Sequence, residues 1–132
     1  MKALFSVITI IIFTIVSMGC SRVTKLQNYT HNGAYNFNFS KLSNKDIGLK
    51  ITNIASIRGW GCSQINDNKL TCTLNVRDHQ ATVDIDYTQT GYAISYVSSK
   101  NLMYNQHSGT IHRNYHKWVK LLERDIDKAM SH

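Results

Sequence analysis

The sequence predicts an α+β domain, a two-layer sandwich in which an antiparallel β-meander of about four strands carries two helices on one face. Three patterns predict it. Short segments of alternating apolar and polar residues follow one another between turn formers. Two other segments space their apolar residues at helical intervals. Folding the alternating segments about their turns brings apolar faces together without a register slip. The length of 132 residues suits one domain, and 42% hydrophobic against 17% charged residues excludes a disordered polyelectrolyte.

The first helix is expected from Ser43. Ser43-Asn44-Lys45-Asp46 places an N-cap residue before a carboxylate at N3. Ile47, Ile51, Ile54 and Ala55 then recur at helical spacing, Gly48 weakens the segment, and Gly59 is a natural stop. A hairpin about Asn66-Asp67-Asn68 sets Trp60 opposite Leu74, Cys62 opposite Cys72, and Gln64 opposite Leu70. Turns at Arg77-Asp78-His79-Gln80 and Thr88-Gln89-Thr90-Gly91 continue the meander, setting Leu74 opposite Val83 and Ile85 opposite Ile94. Thr71, Thr73, Asn75, Thr82, Asp84 and Asp86 fall on the polar face. A second helix is expected from about Ile111 to Met130, with Ile111, Tyr115, Trp118, Val119, Leu122, Ile126 and Ala129 along one side. It and the first helix cover the apolar face of the sheet.

The N-terminus reads as an address. Met1-Lys2 precedes an uncharged run whose densest part, Leu4 to Val16, ends in small residues, as a secretory signal does. This core is shorter than the ~20 residues of a membrane-spanning helix. Ser17-Met18-Gly19-Cys20 resembles the lipobox of bacterial lipoproteins, with Gly19 as the small residue before the cysteine. The resemblance implies cleavage after Gly19 and acylation of Cys20, and Ser21 in place of an aspartate implies the outer membrane, facing the periplasm. Two or three chains hold firmly where one holds marginally, at ~0.8 kcal/mol per buried methylene. The expected organisation is therefore a signal peptide over 1–19, a lipidated cysteine and polar tether over 20–40, and a periplasmic domain over 41–132. Within the tether, Ala34 to Phe39 alternates and suits a short edge strand.

With Cys20 lipidated, Cys62 and Cys72 remain as an even pair in an oxidising compartment, and a disulfide between them is expected. The pair lacks the CxxC spacing of a zinc site.

Arg58-Gly59-Trp60, Val83-Asp84-Ile85-Asp86-Tyr87, Ile94-Ser95-Tyr96, Ser99-Lys100-Asn101-Leu102 and Ile111-His112-Arg113-Asn114-Tyr115-His116-Lys117-Trp118 together resemble a family of small proteobacterial lipoproteins without an assigned activity. The resemblance covers about Lys45 to Ile126. It implies an envelope location and an α+β fold but no reaction, and asparagine usually stands in that pattern where this chain has His116.

Charge is the strongest functional signal. Lys+Arg exceed Asp+Glu by 15 to 8, and loss of Lys2 with the signal leaves an excess of +6. Arg113, Lys117, Lys120, Arg124 and Lys128 lie within about 80° of arc on the second helix, opposite its apolar stripe. Such a ridge suits an anionic partner: lipopolysaccharide phosphates, peptidoglycan carboxylates or an acidic protein face. The loop Ser98 to Gly109 is a second candidate contact surface. Export argues against nucleic acid.

Enzymatic signals are weak. There is no Gly-x-Ser-x-Gly elbow and no glycine-rich phosphate loop. Asp84 and Asp86 alternate on a flat exposed face, where solvated acids are far commoner than an acid/base pair. His112 and His116 stand at i and i+4, with His107 before them, but Arg113 replaces the glutamate of a hydrolytic H-E-x-x-H motif. The expectation is a non-enzymatic binding or accessory module with no cofactor beyond the lipid. The alternative is a small ligand- or metal-binding protein using His107, His112 and His116.

Overall fold

A computed structural model describes residues 21–32 and 38–131. The signal segment, Cys20 and most of the expected Ala34 to Phe39 strand lie outside the described residues. In chain order the elements are β1 (Val23–Lys25), β2 (Tyr29–Asn32), a 3-10 turn (Asn38–Lys41), α1 (Asn44–Ile57), β3 (Trp60–Asn66), β4 (Lys69–Val76), β5 (His79–Thr88), β6 (Gly91–Lys100), β7 (Thr110–His112) and α2 (Arg113–Met130).

Local chemistry sets α1 as expected. The Ser43 hydroxyl accepts from the Asp46 N–H at 3.2 Å and donates to the Asp46 carboxylate at 2.6 Å. Gly59, at φ +86°, ends the helix in a conformation that side chains disfavour. Gly48, a weak helix former, has a packing reason: a Cβ there would overlap the hydroxyl end of Tyr87, so its absence lets α1 approach the sheet.

Strands β3 to β6 form the predicted meander. The register at β3–β4 is the predicted one, and Cys62 and Cys72 are joined by a disulfide with Cα atoms 4.0 Å apart. Ile85 pairs with Ile94, as predicted. The β4–β5 register differs: Leu74 pairs with Ala81, and Val83 pairs with Cys72. The cause is a tighter turn. Only Arg77 and Asp78 link the strands, with Arg77 at φ 56°, so His79 and Gln80 join β5. The register moves by an even number of residues, so the same faces remain apolar. Two irregularities eject apolar residues. The ladder steps over Ile65 in β3 and Val97 in β6, and both are exposed.

The five-stranded sheet runs β2-β6-β5-β4-β3, and β1 pairs with β7 in a separate ribbon. Both helices pack on one face. Ile47, Ile51 and Ala55 of α1 and Tyr115, Val119, Leu122, Ile126 and Met130 of α2 are buried with Leu70, Cys72, Leu74, Val83, Ile85 and Ile94 of the sheet. An ion pair of 2.6 Å between Arg58, at the end of α1, and Asp125 of α2 ties the helices together. Among the described residues, no helix is long and apolar enough to cross a membrane.

Three expectations need correction. The second helix starts at Arg113, because Ile111 belongs to β7. Asn38–Lys41 is a 3-10 turn with Phe39 buried, not strand, and the outer neighbour of β6 is Tyr29–Asn32. Most consequentially, Ser21 to Asn32 is no free tether. Val23–Lys25 pairs with Thr110–His112, and Tyr29–Asn32 pairs with Gly91–Ile94. The open edge of β6 and the short β7 each offer unpaired backbone groups, and this arm satisfies them. Its sparse apolar residues, Leu26 and Tyr29, pack against the core.

Candidate functional site

Helix α2 presents three chemically different surfaces. Its inner face is the apolar stripe. The face opposite carries Arg113, Lys117, Lys120, Arg124 and Lys128, and all five are exposed. A flank between them grips the N-terminal arm.

The acids of α2 sharpen the ridge rather than neutralise it. Asp125 turns to Arg58, which holds its carboxyl below the usual range through their hydrogen bond. Its second contact, with Arg124, is longer at 3.5 Å. Glu123 and Asp127 turn to His31 and Tyr92 of the arm and sheet. Among the described residues, Lys117, Lys120 and Lys128 therefore enter no ion pair. Like charges at i,i+4 cost a few tenths of a kcal/mol per pair, and the chain bears that cost while its acids are used elsewhere.

The grip on the arm is polar. Tyr29 Oη and His116 Nδ1 lie 2.7 Å apart, and His116 Nε2 lies 2.8 Å from the Lys25 carbonyl. A carbonyl only accepts, so Nε2 carries a proton, and in the neutral imidazole Nδ1 accepts from the Tyr29 hydroxyl. Burial pushes the His116 pKa down, Lys120 adds to that, and the Lys25 carbonyl opposes it. At the helix start, the Arg113 N–H donates to the Arg22 carbonyl at 2.9 Å. His112 is the N-cap, its Nδ1 accepting from the Asn114 N–H at 3.1 Å. Burial, then neighbouring Arg113, pushes the His112 pKa down.

Among the described residues, His107, His112 and His116 are not brought together as one ligand group. Both nitrogens of His116 are in hydrogen bonds, one nitrogen of His112 caps a helix, and His107 stands exposed in a loop. The structure brings together a different group. His31, Glu123 and Asp127 present one ligand atom each, all within 4.8 Å of one another. The i,i+4 spacing of Glu123 and Asp127 was visible in the sequence, but nothing local to His31 foretold that it would reach them.

The remaining candidates separate. Asp84 accepts from the Thr71 hydroxyl at 2.6 Å and Asp86 pairs with Lys69 at 3.3 Å, so each carboxylate has its own cross-strand partner. In the predicted contact loop, Ser98 to Lys100 belong to β6. Leu102 is buried, and Met103 and Tyr104 are exposed, with Tyr104 against Tyr96 at 4.6 Å between ring centroids. Comparison with family models, curated proteins and solved structures found no match.

Proposed function

We propose that this chain is an outer-membrane lipoprotein, anchored through acylated Cys20 and facing the periplasm, whose domain is a non-enzymatic binding module for an anionic component of the envelope. The observation that carries the reading is the charge segregation on α2: five exposed cations in one line, while Glu123 and Asp127 of the same helix turn to His31 and Asp125 pairs chiefly with Arg58.

The docked arm supports a particular arrangement. Val23 already belongs to β1, three residues after Cys20, and three extended residues reach only about 10 Å. Arg22, the second residue after Cys20, accepts a hydrogen bond from the first residue of α2. The chain just after Cys20 therefore lies beside Arg113, the first cation of the ridge. A body held this close meets the phosphates of its own membrane before any more distant partner. Each Lys or Arg at an anionic surface is worth about 1 kcal/mol, screened over a Debye length of ~10 Å at 0.1 M salt. The ridge is strong enough to orient a body that the lipid already holds in place. Peptidoglycan or an acidic protein face would engage the same cations.

The test is the triple variant Lys117→Gln, Lys120→Gln, Arg124→Gln. We expect unchanged thermal unfolding and weaker association with envelope membranes, with most of the salt sensitivity removed. Association that ignores both the substitutions and the ionic strength contradicts the reading.

A further inference from the structure

We propose that His31, Glu123 and Asp127 form a binding site for a divalent transition-metal ion of the zinc class, which closes the N-terminal arm onto α2. The site is independent of the cationic ridge and of the lipid anchor.

The ligands come from two elements. His31 stands on β2, and Glu123 and Asp127 stand one turn apart on α2. His31 Nε2 contacts Glu123 Oε1, and His31 Nδ1 lies 3.6 Å from Asp127 Oδ1. Zinc holds nitrogen and carboxylate oxygen at about 2.0–2.2 Å, so two of its ligand atoms stand at most ~4.3 Å apart. Ligand atoms already within 4.8 Å of one another need only small side-chain rotations to converge. The three side chains are 31%, 19% and 40% exposed, which leaves a path for the ion and room for water to complete the coordination.

The surroundings are those of a supported ligand set. Tyr92, itself buried, donates its hydroxyl proton to Asp127 Oδ1 at 2.6 Å. The Tyr92 ring also stacks on the His31 imidazole, centroids 5.0 Å apart and planes 9° from parallel. One residue therefore orients two of the three ligands, as partners of metal ligands characteristically do.

Charge favours the same occupant. With a neutral imidazole, two carboxylates at i,i+4 repel each other, and a dication removes that repulsion. The imidazole selects against magnesium and calcium, which prefer all-oxygen shells, and for zinc, copper, nickel or cobalt. The competing arrangement is a simple clamp in which the imidazole bonds the carboxylates and no ion is needed.

The experiment titrates the folded protein with Zn²⁺ by calorimetry and with Co²⁺ by visible absorption, while hydrogen exchange follows the arm. We expect one saturable equivalent in the micromolar range, a cobalt ligand-field band, and slower exchange across Tyr29–Asn32. His31→Gln should abolish the band. Asp127→Asn should weaken binding at least tenfold, and Tyr92→Phe, which keeps every ligand, about tenfold. Circular dichroism confirms the fold of each variant, and Tyr92→Phe serves as the test if His31→Gln unfolds. Absence of saturable binding below about 1 mM overturns the proposal in favour of the clamp. So does zinc binding of equal affinity in the unaltered protein and in Asp127→Asn and Tyr92→Phe.

Discussion

The meander and the N-terminal arm are both β-structure, yet they are held by different forces. Strands β4 and β5 pair over eight residue pairs, Lys69 to Asp86 through Val76 to His79, and bury an uninterrupted apolar face. The arm pairs over three residues in β1 and four in β2, and buries little beyond Leu26 and Tyr29. What secures it is a set of side-chain hydrogen bonds and charges: Tyr29 with His116, His116 with the Lys25 carbonyl, and His31 with Glu123 and Asp127. Apolar burial is indifferent to protons and ions, whereas the His116 contacts depend on the protonation of an imidazole whose pKa burial lowers. The molecule thus joins a body insensitive to conditions to an arm that responds to them, and the arm is the part next to Cys20.

The largest expected effect erases the difference. Ile85 is fully buried at the centre of the sheet, so Ile85→Ala should cost about 2–5 kcal/mol. Arm and meander should then lose hydrogen-exchange protection together, because the arm has no core of its own. Retained protection in either region would mean separate folding units.

A smaller change should separate the two regions. His116→Ala removes both bonds of the imidazole and leaves the Tyr29 hydroxyl without its acceptor, a loss of about 1–3 kcal/mol. It should appear as faster exchange across Val23–Asn32 with little change in β4 and β5. Equal loss in both regions would contradict a side-chain-held arm.

The smallest effect is that of pH on the unaltered protein. His116 and His112 have pKa values lowered below the ordinary 6.5, chiefly by burial. Below that value the unfolded or undocked chain binds more protons than the docked one, so docking weakens as pH falls from about 6.5 through the lowered values. Above it the contribution of the two histidines is complete and flat. Exchange across the arm should therefore accelerate, beyond its intrinsic pH dependence, between pH 6.5 and 5, while the meander stays protected. An arm equally protected at both ends of that range would remove the histidines from its support.

Much of the body was legible in the sequence because its signals are local. Alternation, capping at Ser43 and turn formers at Asn66 to Asn68 each constrain neighbouring residues, and they yielded the disulfide pair and most of the register. The β4–β5 register was misread by two residues because Arg77-Asp78 closes a tighter turn than its composition suggests, with a non-glycine residue at positive φ. The arm was misread for a different reason. Val23 to Asn32 is polar and too weakly periodic to signal a strand. Its conformation is set by edges and side chains far along the chain, at Ile94, Ile111 and His116. The cationic ridge was visible as helical spacing. That its acids pair chiefly elsewhere was not, since it depends on where Arg58, His31 and Tyr92 arrive in space.

The central proposal is that the docked arm would hold α2, with its ridge, against the membrane in which an acylated Cys20 would sit. The most direct measurement is the depth of two probes on the lipidated protein in anionic vesicles, one attached at Lys120 on α2 and one at Thr82 on the open face of the sheet. The account predicts that the α2 probe lies near the phosphate layer, withdraws when salt is raised, and is always nearer than the probe at Thr82. Two probes equally remote from the bilayer at low salt would contradict it.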